Sequence, residues 1–149
     1  MLLGAHLITG AVAGEYVDNP FLAVAAGIVM HFILDAIPHF DTTDDHKITF
    51  RQLALVAFDG IIGFAILFIC YKDFSIHKFS YLAGAFGGIL PDIFDNMPFW
   101  NKNFQKSRFG NKFHDIHSHV QLIKLSPIPG LAIQYIIIAV TVLILIKLK

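Results

Sequence analysis

Cysteine, glutamate and net charge are scarce in this chain. Cys70 is its one cysteine, Glu15 is its one glutamate, and the formal net charge at pH 7 is zero. A lone cysteine in an apolar segment excludes a disulfide framework and a thiolate metal site built from this sequence. The balanced charge gives no electrostatic reason to expect a nucleic-acid partner, so none is predicted.

Charged residues are also few, at 15% of the 149 residues, whereas hydrophobic residues make up 56%. Mean hydropathy is +0.65, which is too apolar for an ordinary soluble domain of this length. The composition therefore predicts that membrane lipid surrounds the protein. Because the length is that of one domain, we expect residues 1–149 to form a single membrane-embedded domain, of undetermined oligomeric state.

Five apolar segments organise the chain. Two of them are long enough to cross a bilayer upright, whereas the first falls short of the ~20 residues required, so it either spans a thin region or only dips. We expect an all-α integral membrane bundle of four to five short helices, with a polar helical or loop insertion before the last helix. Pro91 is expected to bend or break the fourth segment. The segments cover residues 2–16, 21–38, 53–71, 79–94 and 127–148, and the insertion covers 97–126.

The segment 30–41 carries ionisable side chains inside apolar surroundings. His31, Asp35 and His39 stand at i, i+4 and i+8, so a helix brings all three to one face. An imidazole and a carboxylate in such surroundings are costly unless they are paired or bind something. An intrahelical ion pair is the ordinary alternative to a ligand site.

Alternation of five segments across a membrane predicts one ionisable face. The N-terminus, the loop after Pro38 and the insertion then share one side, which carries most of the lysines and arginines. The positive-inside bias puts that side in the cytoplasm. The same side collects most ionisable groups of the apolar segments, namely His6, Asp35, His39, Asp59, Asp92, Asp95 and the histidines of 114–119.

Imidazole and carboxylate ligands without thiolate suit zinc, and also manganese or iron. The candidates suffice for one to two ions, which would acidify a bound water to a pKa of roughly 7. The residues also leave ordinary alternatives open. Asp92 and Asp95 could cap a helix and face solvent, and the histidines of 114–119 could lie in a solvated loop.

Four motifs resemble the membrane-bound metal-dependent hydrolases, small inner-membrane proteins grouped with the zinc-dependent phospholipase C and single-strand nuclease superfamily. The ending of residues 35–41, Asp-Ala-Ile-Pro-His-Phe-Asp, is similar to a bacterial branch of that group. In this chain the Pro-Asp motif follows the His-x-x-x-Asp helix instead of preceding it, and the family's His-Arg-Gly-x-Thr-His becomes His-Asp-Ile-His-Ser-His. The motifs are Gly4-Ala5-His6-Leu7, His31-Phe32-Ile33-Leu34-Asp35, Gly88-Ile89-Leu90-Pro91-Asp92-Ile93-Phe94-Asp95, and the run from Phe113-His114 to Ser118-His119.

Placement and resemblance together give a predicted site. His117 competes with His119 as a ligand, and Arg108 or Lys112 is a candidate to hold a phosphate. His39 and Asp41 are expected to orient the ligands rather than bind metal. The predicted metal ligands are His6, His31, Asp35, Asp59, Asp92, His114 and His119, and the predicted catalytic residues are Asp95, His117 and Arg108.

The predicted function is hydrolysis of a phosphoester, such as a phospholipid or another small amphiphilic phosphate, by metal-activated water at the cytoplasmic face of the inner membrane. The alternative is a membrane protein without catalytic activity that transports or senses a divalent metal. A transporter should place its ligands near the bilayer midplane with paths to both faces, so a one-sided site favours the hydrolase.

Overall fold

The computed structural model describes residues 1–41, 50–97, 99–121 and 123–147, and within these ranges the chain is helical. The expected all-α class is confirmed. The loop expected after Asp41 lies outside the described residues over positions 42–49. The helices are α1 (Leu3–Glu15), α2 (Pro20–Asp35), α3 (Phe50–Asp73), α4 (Lys78–Asp95), α5 (Asn101–Gln105), α6 (Arg108–Val120) and α7 (Pro127–Lys147).

Local sequence accounts for several helix ends. Asn19 precedes α2, and its side-chain oxygen accepts hydrogen bonds from the backbone N–H groups of Phe21 and Leu22. Pro20 occupies the first helical position, where the missing N–H costs nothing. Ser107 caps α6 in the same way through the N–H of Gly110. The polar insertion is thus helical, as α5 and α6.

Helix α4 continues through Pro91 to Asp95, so of the expected bend or break at this proline, the break is absent. Proline removes the hydrogen bond to the carbonyl four residues earlier and crowds it. That carbonyl belongs to Gly87, which packs against the backbone of Val24 in α2. Tertiary packing therefore holds this turn in place, and Asp92 and Asp95 extend from the last turn of a continuous helix.

Glycines bring α1, α2 and α4 into backbone contact at the centre of the bundle. A Cβ on Gly84 would meet the backbone of Gly10 and Gly14 in α1, and one on Gly27 in α2 would meet Gly84 and Gly88. Small residues at four-residue spacing allow helices this close an approach. The three helices that carry His6, His31 and Asp92 are consequently fixed against one another.

The exterior of the bundle is apolar. Helices α3 and α7 are long and apolar enough to cross a membrane, and only 28% and 22% of their most apolar windows are buried. Helix α2 is a shorter apolar helix that also leaves Phe21 and Val29 exposed. A core helix of a soluble protein would be covered, so this surface favours association with a membrane.

Glu15, at the C-terminal end of α1, links this helix to the segment before α4. Its carboxylate accepts hydrogen bonds from the Ser75 hydroxyl and from the N–H groups of Ile76 and His77, at 2.6 to 2.9 Å. These groups precede α4, so the end of α1 is tied to the start of α4. These hydrogen bonds satisfy the buried carboxylate, and Glu15 lies apart from the histidines and aspartates at the other end of the bundle.

Candidate metal centre

Four helices deliver histidine and aspartate side chains to one end of the bundle. His6 lies in the first turns of α1, Asp35 is the last residue of α2, and Asp92 lies in the last turn of α4. His117 comes from α6, where it is buried. His6, His31 and Asp35 are almost completely buried, at 0% to 1% exposure. The sequence prediction that these groups share one end of the helices is therefore met in the structure.

Three donor atoms form a nearly equilateral triangle. The Nε2 atom of His31 lies 3.1 Å from Nε2 of His117 and 3.2 Å from Oδ2 of Asp35, and the remaining side is 3.1 Å. Asp92 Oδ1 lies 3.9 Å from His31 Nε2 and 3.6 Å from His117 Nε2. Bonds of about 2.0–2.1 Å to a tetrahedral ion place its donors roughly 3.3–3.4 Å apart. The triangle of His31, His117 and Asp35 thus has close to the spacing of three tetrahedral ligands, and Asp92 lies slightly farther from the two histidines.

The outer nitrogens of these histidines are held by acceptors. His31 Nδ1 donates to the carbonyl of Gly88 at 2.7 Å, and His117 Nδ1 bonds to Asp95 Oδ2 at 2.9 Å. His39 Nδ1 donates to the carbonyl of Ile37 at 2.7 Å. Each of these bonds leaves Nε2 facing the cluster. Carbonyl and carboxylate partners of this kind orient histidine ligands at metal sites.

Asp35 faces a second group through its other oxygen. Its Oδ1 lies 3.2 Å from Nε2 of His6 and 3.9 Å from Nε2 of His39. The Met1 amine lies 3.0 Å from the same oxygen. Although the His6 distance is short, neither Nε2 atom makes a hydrogen bond of acceptable geometry. The Met1 ammonium donates a buried hydrogen bond to this carboxylate oxygen, so a metal ion would have to take its place there. The two Nε2 atoms remain buried without partners, which is costly, and they are the additional donors that such an ion would use.

Asp95 acts on the cluster through His117. Besides its bond to His117 Nδ1, the Asp95 carboxylate is hydrogen-bonded to His114 Nδ1 at 2.9 Å and accepts a hydrogen bond from the Gln105 amide at 3.0 Å. Burial alone would lower the pKa of His117, but the carboxylates of Asp35 and Asp95 outweigh burial and raise this pKa to about 9. A proton on His117 therefore supplies positive charge between two carboxylates, where a metal ion would otherwise supply it.

The cluster is exposed to solvent on one side. The Asp92 side chain is 19% exposed and that of His114 is 43% exposed, while His6, His31 and Asp35 are enclosed. Asp92 is thus the cluster group that an external molecule can approach. His114 lies at the same opening and bonds to Asp95, in an outer position rather than among the Nε2 atoms.

Three predicted site residues lie away from these donors. The carboxylate of Asp59 accepts the Gly4 N–H at 2.6 Å and the Tyr135 hydroxyl at 3.4 Å. His119 is exposed, and its Nδ1 bonds to the carbonyl of Asp115. Arg108 is exposed at the start of α6. Asp41 is half-buried two residues after His39. Burial lowers the pKa of His39, and the Asp41 charge opposes that shift without reversing it.

Sequence reasoning missed Gln105 and left His117 and His119 unresolved. The spacing of Phe113 and His117 at i and i+4 could have decided the second point, because it puts His117 on the same face of α6 as an apolar ring. In the structure the rings of Phe113 and His117 lie 6.0 Å apart, whereas His119 faces outward. Gln105 gave no such signal, since it contacts Asp95 and His114 only through the fold.

Comparison with protein-family models, curated proteins and solved structures finds no match to this chain. Function is therefore inferred from the side chains of the cluster.

Proposed function

We propose that this protein is a membrane-bound metal-dependent hydrolase acting on a phosphoester, such as a phospholipid. The observation that carries the proposal is the convergence of buried histidine Nε2 atoms on Asp35. Two overlapping groups of donors could each hold an ion, and both include His31: one with His6 and Asp35, the other with Asp92 and His117. Buried imidazoles facing a carboxylate at ligand spacing are expensive to maintain without a cation.

The donors divide into two sets on either side of Asp35. Oδ2 faces His31 and His117, with Asp92 nearby, whereas Oδ1 faces His6 and His39. A carboxylate with one oxygen toward each set suits a pair of ions, so we propose two, with the ion at Oδ1 taking the place of the Met1 ammonium that bonds this oxygen. Imidazole and carboxylate donors favour zinc, with manganese or iron as the other candidates.

Divalent ions held there would supply Lewis acidity and a water that loses its proton near neutral pH. The chain's own groups prepare the site for that chemistry. Asp95 holds the His117 ring in one orientation, and the Gly88 carbonyl holds that of His31. Asp92 lies at the open side, where a phosphoester can approach. Arg108 and Lys112 are exposed on α6 and are the proposed contacts for its phosphate.

The surroundings support a lipid substrate. The exposed apolar faces of α3 and α7 favour a membrane around the bundle. Most lysines and arginines belong to the connections at the end that carries the cluster, so the positive-inside bias assigns that end to the cytoplasmic face of the inner membrane. A site at one end of the helices, enclosed from the other, also favours hydrolysis over transport through the bilayer.

The test is metal analysis of detergent-purified protein. The wild type should carry two equivalents of zinc or manganese, and His31→Ala and Asp35→Ala should lose both. His77→Ala is the matched control, since His77 lies at the far end beside Asp18 and should leave the content unchanged. Absence of bound metal, even after incubation with zinc, would reject the proposal.

Hydrolysis is then measured on phosphodiesters and on phospholipids in mixed micelles, with and without chelator. Activity should require metal and should fall by a factor of about 100 or more in Asp92→Asn. Metal binding without hydrolysis of any phosphoester would reject the hydrolase and leave a sensor or transporter.

A further inference from the structure

An apolar cavity lies beside the metal centre, where α2, α4, α5 and α6 meet. Its volume is about 200 Å³, and no polar surface contributes to its walls. Aromatic rings form most of the lining, together with Ile28 of α2 and Leu90 of α4. The rings belong to Phe94, Phe104, Phe109 and Phe113. The described cavities elsewhere include charged side chains such as Glu15 or Lys112, so this one differs in chemistry.

One wall of the cavity is shared with the metal centre. Phe113 lines the cavity, and its ring lies 6.0 Å from that of His117. The Phe32 ring lies 6.3 Å from Phe113 and meets both His31 and His117 edge to face, at 5.5 and 5.7 Å. The cavity and the cluster are therefore separated by the thickness of one aromatic side chain.

The cavity also continues into the apolar exterior of the bundle. Phe109 at its rim is 73% exposed and Phe94 is 44% exposed. Val29, beside Ile28 in α2, is exposed as well. A hydrocarbon chain could pass sideways from lipid into this space without crossing a polar surface. A peptide segment would leave its N–H and C=O groups without partners there.

We propose that this cavity binds one hydrocarbon chain of a lipid phosphoester and thereby places the head group at Asp92. The assignment of the head group follows from the proposed hydrolase function, whereas the binding of the chain depends only on the cavity. The basic side chains of Arg108 and Lys112 lie on the same helix as Phe109 and Phe113. Helix α6 thus offers an aromatic face to the chain and cationic groups to a phosphate.

The test is photocrosslinking in nanodiscs that contain phosphatidylcholine with a diazirine in the upper half of one acyl chain. Wild-type protein should be labelled at Phe104 and Phe113. Ile28→Trp fills the cavity and should lower that labelling about tenfold, the change expected when roughly two methylenes can no longer be buried. Val29→Trp is the matched control, because the neighbouring side chain points outward, and labelling should be retained.

Unchanged metal content and unchanged labelling at exposed Phe99 establish that each variant is folded. If Ile28→Trp loses its metal, Phe109→Ser removes the exposed rim and should show the same loss of labelling. Equal labelling of Phe104 and Phe113 in wild type and variants overturns the cavity assignment, whatever the activity. Labelling as expected in a protein that hydrolyses no phosphoester supports the chain site and overturns the proposed function instead.

Discussion

At the scale of single residues, the candidate centre depends on which nitrogen of each histidine faces inward. His31, His39 and His117 all use Nδ1 toward an acceptor outside the cluster and direct Nε2 inward. The acceptors are two backbone carbonyls and the Asp95 carboxylate. Asp95 is therefore a positioning residue in this structure, and its effect on metal binding is predicted to pass through His117.

The variant Asp95→Asn tests that role. Loss of the carboxylate removes the acceptor that orients His117, so metal affinity should fall roughly 10- to 100-fold while the protein stays folded. Competition against a chromophoric chelator measures the affinity. Asp115→Asn on the exposed face of α6 is the control. Equal affinity in Asp95→Asn and wild type would show that His117 needs no such partner.

His39→Ala tests the division of the donors into two sets. His39 Nε2 faces only the Oδ1 side of Asp35, so the variant should lose one of two metal equivalents and keep the other. Elemental analysis with graded chelator measures the stoichiometry, and His119→Ala is the matched surface control. Retention of both equivalents would limit His39 to orienting Asp35, the role that the sequence alone suggested.

The single-residue predictions depended on local spacing, and their outcomes follow from that. His31 and Asp35 could be paired because four residues along a helix fixes their relation. Asp59 could not be placed, because its contacts with Gly4 and Tyr135 join positions 55 and 76 residues apart. Asp35 and His117 are also far apart in sequence, by 82 residues. Contacts between residues so far apart in sequence depend on the tertiary fold.

At the scale of helices, glycine contacts set the distance between the elements that carry the donors. Gly84 lies where α4 packs closely against α1, and its neighbours there are backbone atoms that cannot move aside. Gly60 in α3 differs, because a Cβ there would meet only the end of the Leu3 side chain, at 3.1 Å. A glycine-to-alanine substitution can therefore be compared at a position that faces rigid backbone, Gly84, and at one that faces a flexible side chain, Gly60.

Gly84→Ala should separate α1 from α4, lower the unfolding free energy by about 1–3 kcal/mol and weaken metal binding. Gly60→Ala should be neutral or slightly stabilising, since alanine favours a helix by up to ~1 kcal/mol. Thermal unfolding in detergent and metal titration measure both effects. Similar melting temperatures for the two variants would argue against glycine packing as the determinant of the site.

Element-scale prediction succeeded where apolar runs were long and failed where packing overruled a local signal. A polar insertion of helix or loop was expected before α7, and it is helical, as α5 and α6. The break at Pro91 was not found, because glycine neighbours let α1 and α2 support that turn. A proline predicts a break from local chemistry alone, and contacts with other helices can remove its effect.

At the scale of the whole molecule, the bundle has two chemically different ends. One end carries the histidine and aspartate cluster and the connecting segments that hold most lysines and arginines. At the other end Glu15 hydrogen-bonds to the segment before α4. Between them the exterior is apolar along α3 and α7. This arrangement predicts a fixed orientation in a membrane.

Cysteine labelling tests the orientation. Lys112→Cys lies in the insertion and Ile76→Cys lies at the far end, 65% exposed, while native Cys70 is buried and should stay silent. An impermeant maleimide should label Ile76→Cys from outside spheroplasts, whereas Lys112→Cys should react only in inverted vesicles. The unsubstituted chain is the background control. Labelling with the opposite sidedness would place the centre outside the cytoplasm.

The enclosure of His6, His31 and Asp35 also has a kinetic consequence. These side chains are 0% to 1% exposed, so an ion bound among them can leave only when the surrounding helices move apart. Its residence time would then measure how often the bundle opens, rather than how strongly the ligands bind. We expect release to a strong chelator to be slow and independent of chelator concentration, and faster in Gly84→Ala. The rate of metal release, followed by stopped-flow chelation, would thus measure the rate at which the helices separate.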